Sequence, residues 1–218
     1  MKTTSMLVAC FAMAAAPLAM AQKWEFGGGV GGGFYTSPSV TGPSGTASAN
    51  LATGVAGSAW LDNNSNSHWG GELRYDYQMG ALQLNGAGTS ASFAAMTHAF
   101  HYDILWYATP NGSRVRPFVS VGAGVKMFDG TGAEVAYQPL SNVALLTKAQ
   151  DLTPLASAGA GVKVQISPRV QMRFELHDYL TPFPKQVITP NFGEKVSGWG
   201  WMQDFVPMVG ISYTSEGR

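Results

Sequence analysis

Between Trp69 and Met79 every charge falls on an alternate residue: Trp69-Gly70-Gly71-Glu72-Leu73-Arg74-Tyr75-Asp76-Tyr77-Gln78-Met79. Side chains on a strand alternate between its two faces. One face therefore carries Trp69, Gly71, Leu73, Tyr75, Tyr77 and Met79, and the other Gly70, Glu72, Arg74, Asp76 and Gln78. The same sorting recurs from Trp24 onward in about eight short segments, and the polar face is rich in glycine and in charges of both signs. In a soluble sandwich the apolar face would turn inward. Here the pattern suits a barrel turned inside out, with lipid around it and a polar interior.

Composition supports that reading. Charged residues make up 12% of the chain, against about 25% in an average soluble domain. No apolar run after residue 21 approaches the roughly 18 residues of a membrane helix. Acids and bases balance at 13 each, so there is no polybasic footprint for nucleic acid. Residues 1–21 have a short basic start at Lys2, an apolar run from Met6 to Leu18, and Ala19-Met20-Ala21. This is the pattern of a secretory signal peptide cleaved before Gln22. Leu7-Val8-Ala9-Cys10 has the look of a lipobox, but too little apolar sequence precedes Cys10 and a better cleavage site follows. Cleavage after Ala21 leaves residues 22–218 as one domain without cysteine, hence without disulfide or thiol chemistry.

The alternation predicts strands over 23–35, 48–60, 69–79, 92–107, 114–128, 154–166, 170–180 and 201–213. Segments 36–47, 80–90, 129–153 and 181–198 read as long loops, with a short surface helix over 141–150. The stretches Asp62-Asn63-Asn64-Ser65-Asn66, Thr109-Pro110-Asn111-Gly112-Ser113 and Ser167-Pro168-Arg169 read as turns. Long and short connections alternate, as in barrels with long extracellular loops and short periplasmic turns. Trp24, Trp69, Trp106 and Tyr213 would form a periplasmic aromatic girdle, with Phe34, Tyr77, Tyr179 and Trp201 towards the other rim. The expected fold is all-β: an eight-stranded antiparallel up-and-down transmembrane β-barrel in the outer membrane of a Gram-negative-type bacterium, with both termini in the periplasm.

Two stretches carry a family resemblance: Val115-Arg116-Pro117-Phe118-Val119-Ser120-Val121-Gly122-Ala123-Gly124-Val125-Lys126 and the closing Val209-Gly210-Ile211-Ser212-Tyr213. The chain resembles the small outer-membrane barrels of the OmpA, OmpX and opacity-protein kind. The resemblance implies an architecture rather than an activity, and insertion by the barrel-assembly machinery. Members often end on phenylalanine, whereas this chain continues Thr214-Ser215-Glu216-Gly217-Arg218. The peptidoglycan-binding module of longer relatives is expected to be absent.

By parity the lumen holds Glu25, Glu72, Asp76, Asp103, Glu175 and Asp204 with Arg74, Arg116, Lys126, Lys163 and Arg173. Confined charges need partners, so an interlocked ion-pair network is expected to fill a barrel only wide enough for side chains. The expected role is that of a structural and surface-interaction protein. Its loops, above all 130–153 and 181–198, would contact surfaces, polysaccharide or lipopolysaccharide. A narrow or gated channel is one alternative. Another is a lipid-modifying hydrolase using His101, Asp103, Ser120 and His177, although the His-x-Ser pattern of lipid A deacylases is missing, since Tyr102 and Asp103 follow His101. A secreted lipocalin-like barrel would bury Trp24, Phe100 and Val121; lumen glycines and aromatic rims argue against it. The four histidines lack paired metal-ligand spacing. Gly27-Gly28-Gly29-Val30-Gly31 has no helix after it, so a dinucleotide site fails and no cofactor is expected. His98 falls on the lipid face, where a strand bulge would account for it.

Overall fold

The computed structural model describes residues 23–64, 66–197 and 200–215. The segment read as a signal peptide, Cys10 within it, and residues 216–218 lie outside the described residues. Thirteen strands follow one another: β1 (Lys23–Tyr35), β2 (Ser39–Gly42), β3 (Gly45–Leu51), β4 (Gly54–Asn64), β5 (Trp69–Gly86), β6 (Thr89–Tyr107), β7 (Val115–Gly130), β8 (Ala144–Leu146), β9 (Gln150–Gln165), β10 (Val170–Pro182), β11 (Ile188–Pro190), β12 (Lys195–Val196) and β13 (Trp201–Thr214).

Eight of them close into a ring of antiparallel neighbours, β1-β4-β5-β6-β7-β9-β10-β13 and back to β1. Paired residues can be followed once round it: Glu25, Asp62, Glu72, Asp103, Gly122, Ser157, Tyr179, Asp204 and then Tyr35. The circuit returns to β1 ten residues beyond its start. Closing eight strands with that stagger tilts them by about 40°.

Alternation decides what each wall residue meets. On β6, Phe100, Tyr102, Ile104 and Trp106 are exposed while His101, Asp103, Leu105 and Tyr107 are buried. On β7, Val115, Val119, Val121 and Val125 face out and Arg116, Phe118, Ser120 and Lys126 face in. The transmembrane β-barrel expected from the sequence is the fold observed. Its inward glycines make room for one large ring. Trp60 lies over Gly27, Gly29 and Gly210, and a side-chain carbon on Gly27 would come within 2.6 Å of Trp60 Nε1.

Several local expectations are corrected. The turn expected from Asp62 starts later, because Asp62–Asn64 continue β4 and Asp62 points inward. Residues 48–60 form two strands, broken at Ala52 and Thr53. Residues 80–90 are a hairpin rather than a loop: β5 and β6 run on in register to Gly86 and Thr89. Ala87 and Gly88 both take positive φ there, the conformation a tight hairpin needs. No helix spans 141–150; β8 pairs with β11 instead. Tyr179 belongs to the lumen, since its own parity matches His177. His98 needs no bulge, because β6 keeps unbroken register with both β5 and β7. Its ring sits beside Tyr75 and Tyr77, with Nδ1 2.8 Å from the Tyr75 hydroxyl, so its polarity is met on the outer wall.

The loops form a folded cap. The β2–β3 hairpin extends the sheet along β5, and β12 adds to β2. Beneath this sheet lies a core that includes Val40, Leu82, Leu84, Phe93, Phe128, Leu146, Ile188 and Met202. The Gln138 side chain acts as an extra strand: it accepts from Leu146 N–H at 3.1 Å and donates to Leu146 O at 2.7 Å.

Candidate functional site

The lumen is organised by two rows of like charge. Glu25, Asp62, Glu72 and Asp103 stand side by side on β1, β4, β5 and β6. Arg116, Lys163 and Arg173 stand side by side on β7, β9 and β10. Like charges directly opposite on neighbouring strands repel, so neither row is tolerable alone. The rows neutralise each other across the barrel. Lys163 bonds Glu25 at 2.9 Å and also reaches Asp62. Arg173 bonds Glu72, Glu175 at 2.6 Å, and Asp62 at 3.4 Å. Arg116 donates to Asn64 Oδ1 at 3.2 Å and lies over the Tyr107 ring at 3.7 Å.

Above these rows Arg74 joins three carboxylates, Glu72 at 3.1 Å, Asp76 at 3.0 Å and Glu175 at 2.5 Å. Trp60 lies against the guanidinium groups of Arg74 and Arg173, 5.2 and 4.8 Å from its ring centre, and donates to Ser212 Oγ at 3.1 Å. His101 spans Asp103 (Nδ1, 2.8 Å) and Asp76 (Nε2, 3.0 Å), and the Tyr179 hydroxyl donates to Asp76 at 2.7 Å. The top polar layer joins Lys126 to Asp204 at 2.5 Å, with Gln78 donating to the same carboxylate at 2.7 Å.

All eleven charged residues placed inside from the sequence are buried. Asp62 joins them, making seven acids against five bases, with His101 and His177 set among the carboxylates. Asp62 was hidden by the turn-like run of asparagines after it. Trp60, Tyr107 and Tyr179 were also missed as lumen residues; each sits at inward parity beside smaller or polar neighbours, which was the available signal.

The residues of the hydrolase alternative come near one another without forming a relay. Ser120, Gly159 and His177 are cross-strand neighbours on β7, β9 and β10. A side-chain carbon on Gly159 would lie 2.6 Å from Ser120 Oγ and 2.9 Å from His177 Nδ1. His177 Nδ1 is 3.8 Å from Asp103, and neither it nor Ser120 Oγ makes a hydrogen bond. Asp103 is bound by His101 and by Ser157 Oγ at 3.2 Å. Among the described residues, Glu72, Asp103 and His177 also bring ligand-type atoms within 4.8 Å of one another. Glu72 is already held by Arg74 and Arg173. A triad is defined by geometry, and here the serine is buried inside the wall beside Leu105.

Tyr107, Phe118 and Leu105 pack at the end with short turns, and the cap core covers the other end. On the cap surface a cleft of about 480 Å³ is lined by Lys185, Pro190, Glu194, Lys195, Val196 and Gly200. Phe192 is wholly exposed beside it, and Val135 and Tyr137 are also largely exposed.

A closed antiparallel ring, apolar outside and ion-paired inside, is the construction of a transmembrane β-barrel of the Gram-negative outer membrane. The chain belongs to the outer membrane protein beta-barrel domain family, whose model matches residues 6–186. Among solved structures it is similar to the outer membrane protein OprG from Pseudomonas aeruginosa, with 12% identity and a TM-score of 0.61 over 90% of this chain and 97% of that one. It is also similar to Neisserial surface protein A, with 10% identity and a TM-score of 0.52 over 88% and 96%. At these identities the likeness is one of fold. No curated protein sequence matches the chain.

Proposed function

We propose that this protein works from its outer surface, as a structural and surface-interaction protein whose barrel is a closed anchor. The observation that carries this reading is the filled lumen: aromatic packing at the periplasmic mouth, buried ion pairs through the middle, and an apolar core beneath the loops. With the interior occupied by its own side chains, the groups left to meet a partner outside the bilayer are on the cap. The exposed Phe192 and Tyr137 are the anchors, since aromatic side chains dominate interface hot spots. Lipopolysaccharide and polysaccharide are the surfaces they would meet, and the barrel-assembly machinery is the partner during insertion. The enclosed Ser120 and His177 support a non-enzymatic role.

Binding of vesicles displaying the protein to lipopolysaccharide-coated and acidic-polysaccharide-coated surfaces tests this. Phe192→Ser combined with Tyr137→Ser is expected to weaken binding to at least one surface about tenfold or more. Unchanged binding on both would sink the reading. In planar bilayers the native protein is expected to give no steady conductance; reproducible ion-selective steps would favour the channel instead.

A further inference from the structure

On the outer wall a groove of about 390 Å³ is floored by Gly28 and walled by Val30, Met172, Val209 and Ile211. It lies where the barrel closes, with Gly28, Ile211 and Met172 paired across β1, β13 and β10. It continues towards β4 over small residues: Gly28 pairs with Ala59, and a side chain begun at outward Gly57 would meet nothing within 4 Å. On β6 the belt is built of large side chains, Phe100, Tyr102, Ile104 and Trp106, while β9 offers a second row of small ones, Ala156, Ala158 and Ala160, without the aromatic pair and arginine that lie in line here.

Two further features lie in line with this groove. Immediately towards the periplasm Phe26 and Tyr213 are paired, with ring centres 5.3 Å apart. Beyond them Arg169, exposed in the β9–β10 turn, donates to the Tyr213 hydroxyl at 3.1 Å. The turns joining β4–β5, β6–β7 and β9–β10 carry Arg114 and Arg169 and no acid. The order along the wall is therefore cation, interfacial aromatic pair, apolar groove.

We propose that this groove binds one phospholipid of the inner leaflet, with an acyl chain over Gly28 and its phosphate on Arg169. The order matches headgroup, glycerol region and chain. Arginine presents a planar fork of donors suited to phosphate. Tyrosine held at the interface places the guanidinium at headgroup depth. A second copy fits less well. A twofold contact brings the same patch of both partners together, which would set two Arg169 side chains near each other with no acid in those turns to separate them.

Native mass spectrometry of the detergent-purified protein, titrated with dioleoyl phosphatidylglycerol, tests the site. One lipid is expected to be retained per barrel, and phosphatidylethanolamine, which carries the same phosphate, is expected to be retained as well. Arg169→Gln is expected to lower retention about fivefold. Gly28→Leu fills the groove and is expected to abolish retention. Because Gly28 is tight against Ser58 O, at 3.1 Å, Ile211→Trp blocks the groove from its wall as a second route. Val121→Leu, on β7, is the control that leaves retention unchanged. Heat-modifiable migration establishes that each variant is folded. Equal retention by native protein and all groove variants would overturn the proposal. So would equal retention of diacylglycerol, or a dimer mass lost on filling the groove.

Discussion

Arg173→Met is expected to lower the unfolding free energy by about 3–5 kcal/mol, because each of three buried carboxylates loses one of its two cations, leaving Arg74 with Glu72 and Glu175 and Lys163 with Asp62. Arg173 is the hub between the two charge rows, reaching Asp62, Glu72 and Glu175 at once. Methionine of similar length keeps much of the packing under Trp60 and Phe118 but supplies no charge. Urea titration in phospholipid vesicles, read by heat-modifiable migration, measures the effect. Adding Glu72→Gln is expected to recover part of the loss, because an amide in place of the carboxylate lowers the excess of acids over bases and leaves Arg74 free to serve Asp76 and Glu175. Recovery would stay partial, since Asp62 and Glu175 remain. A loss below about 1 kcal/mol, the range of solvent-exposed pairs, would mean that the lumen is hydrated and the filled-barrel description wrong.

Trp60→Ala is expected to cost about 3–5 kcal/mol through the cavity left in a tightly filled interior. The ring covers inward glycines of β1 and β13, stacks against two guanidinium groups and hydrogen-bonds Ser212. The two guanidinium groups against the ring are held by carboxylates and cannot move into that space without breaking ion pairs. A double-mutant cycle separates this from general fragility. Gly210→Ala presses on the Trp60 ring, but also on the Gly28 carbonyl at 2.6 Å. Its penalty should therefore shrink, without vanishing, in the Trp60→Ala background, by at least about 0.5 kcal/mol. Equal penalties in both backgrounds would show that the glycines serve the backbone alone.

The barrel was legible because alternation is a two-residue rule, and a misplaced register would turn every side chain of a strand to the wrong face. Glu72, Arg74 and Asp76 fix β5 in this way, and Arg173, Glu175 and His177 fix β10. Where the environment stops being lipid on one side and lumen on the other, the rule loses its meaning. Leu82 and Leu84 on β5, and Ala91 and Phe93 on β6, alternate as cleanly as any wall residue, but they pack into the cap core. Leu82 and Leu84, set among glycine, glutamine and asparagine, read as loop, whereas Phe93 falls inside the expected strand. Asp62 to Asn64 show the converse failure: turn-favouring residues kept in strand, with Asp62 meeting Lys163 and Arg173 across the barrel. Which acid meets which base is a matter of distance through space, and no periodicity along the chain encodes it.

The separation of the charge rows has a consequence for how the chain is made. Its acidic row lies on β1, β4, β5 and β6, which are synthesised before the basic row on β7, β9 and β10. An N-terminal half-barrel would carry four adjacent carboxylates into a medium where uncompensated charge is expensive. Such a piece has nothing to gain by entering the bilayer early. Arg74 offsets only part of that charge, so entry into the bilayer would grow more favourable once β7, β9 and β10 bring Arg116, Lys163 and Arg173 to meet the first strands.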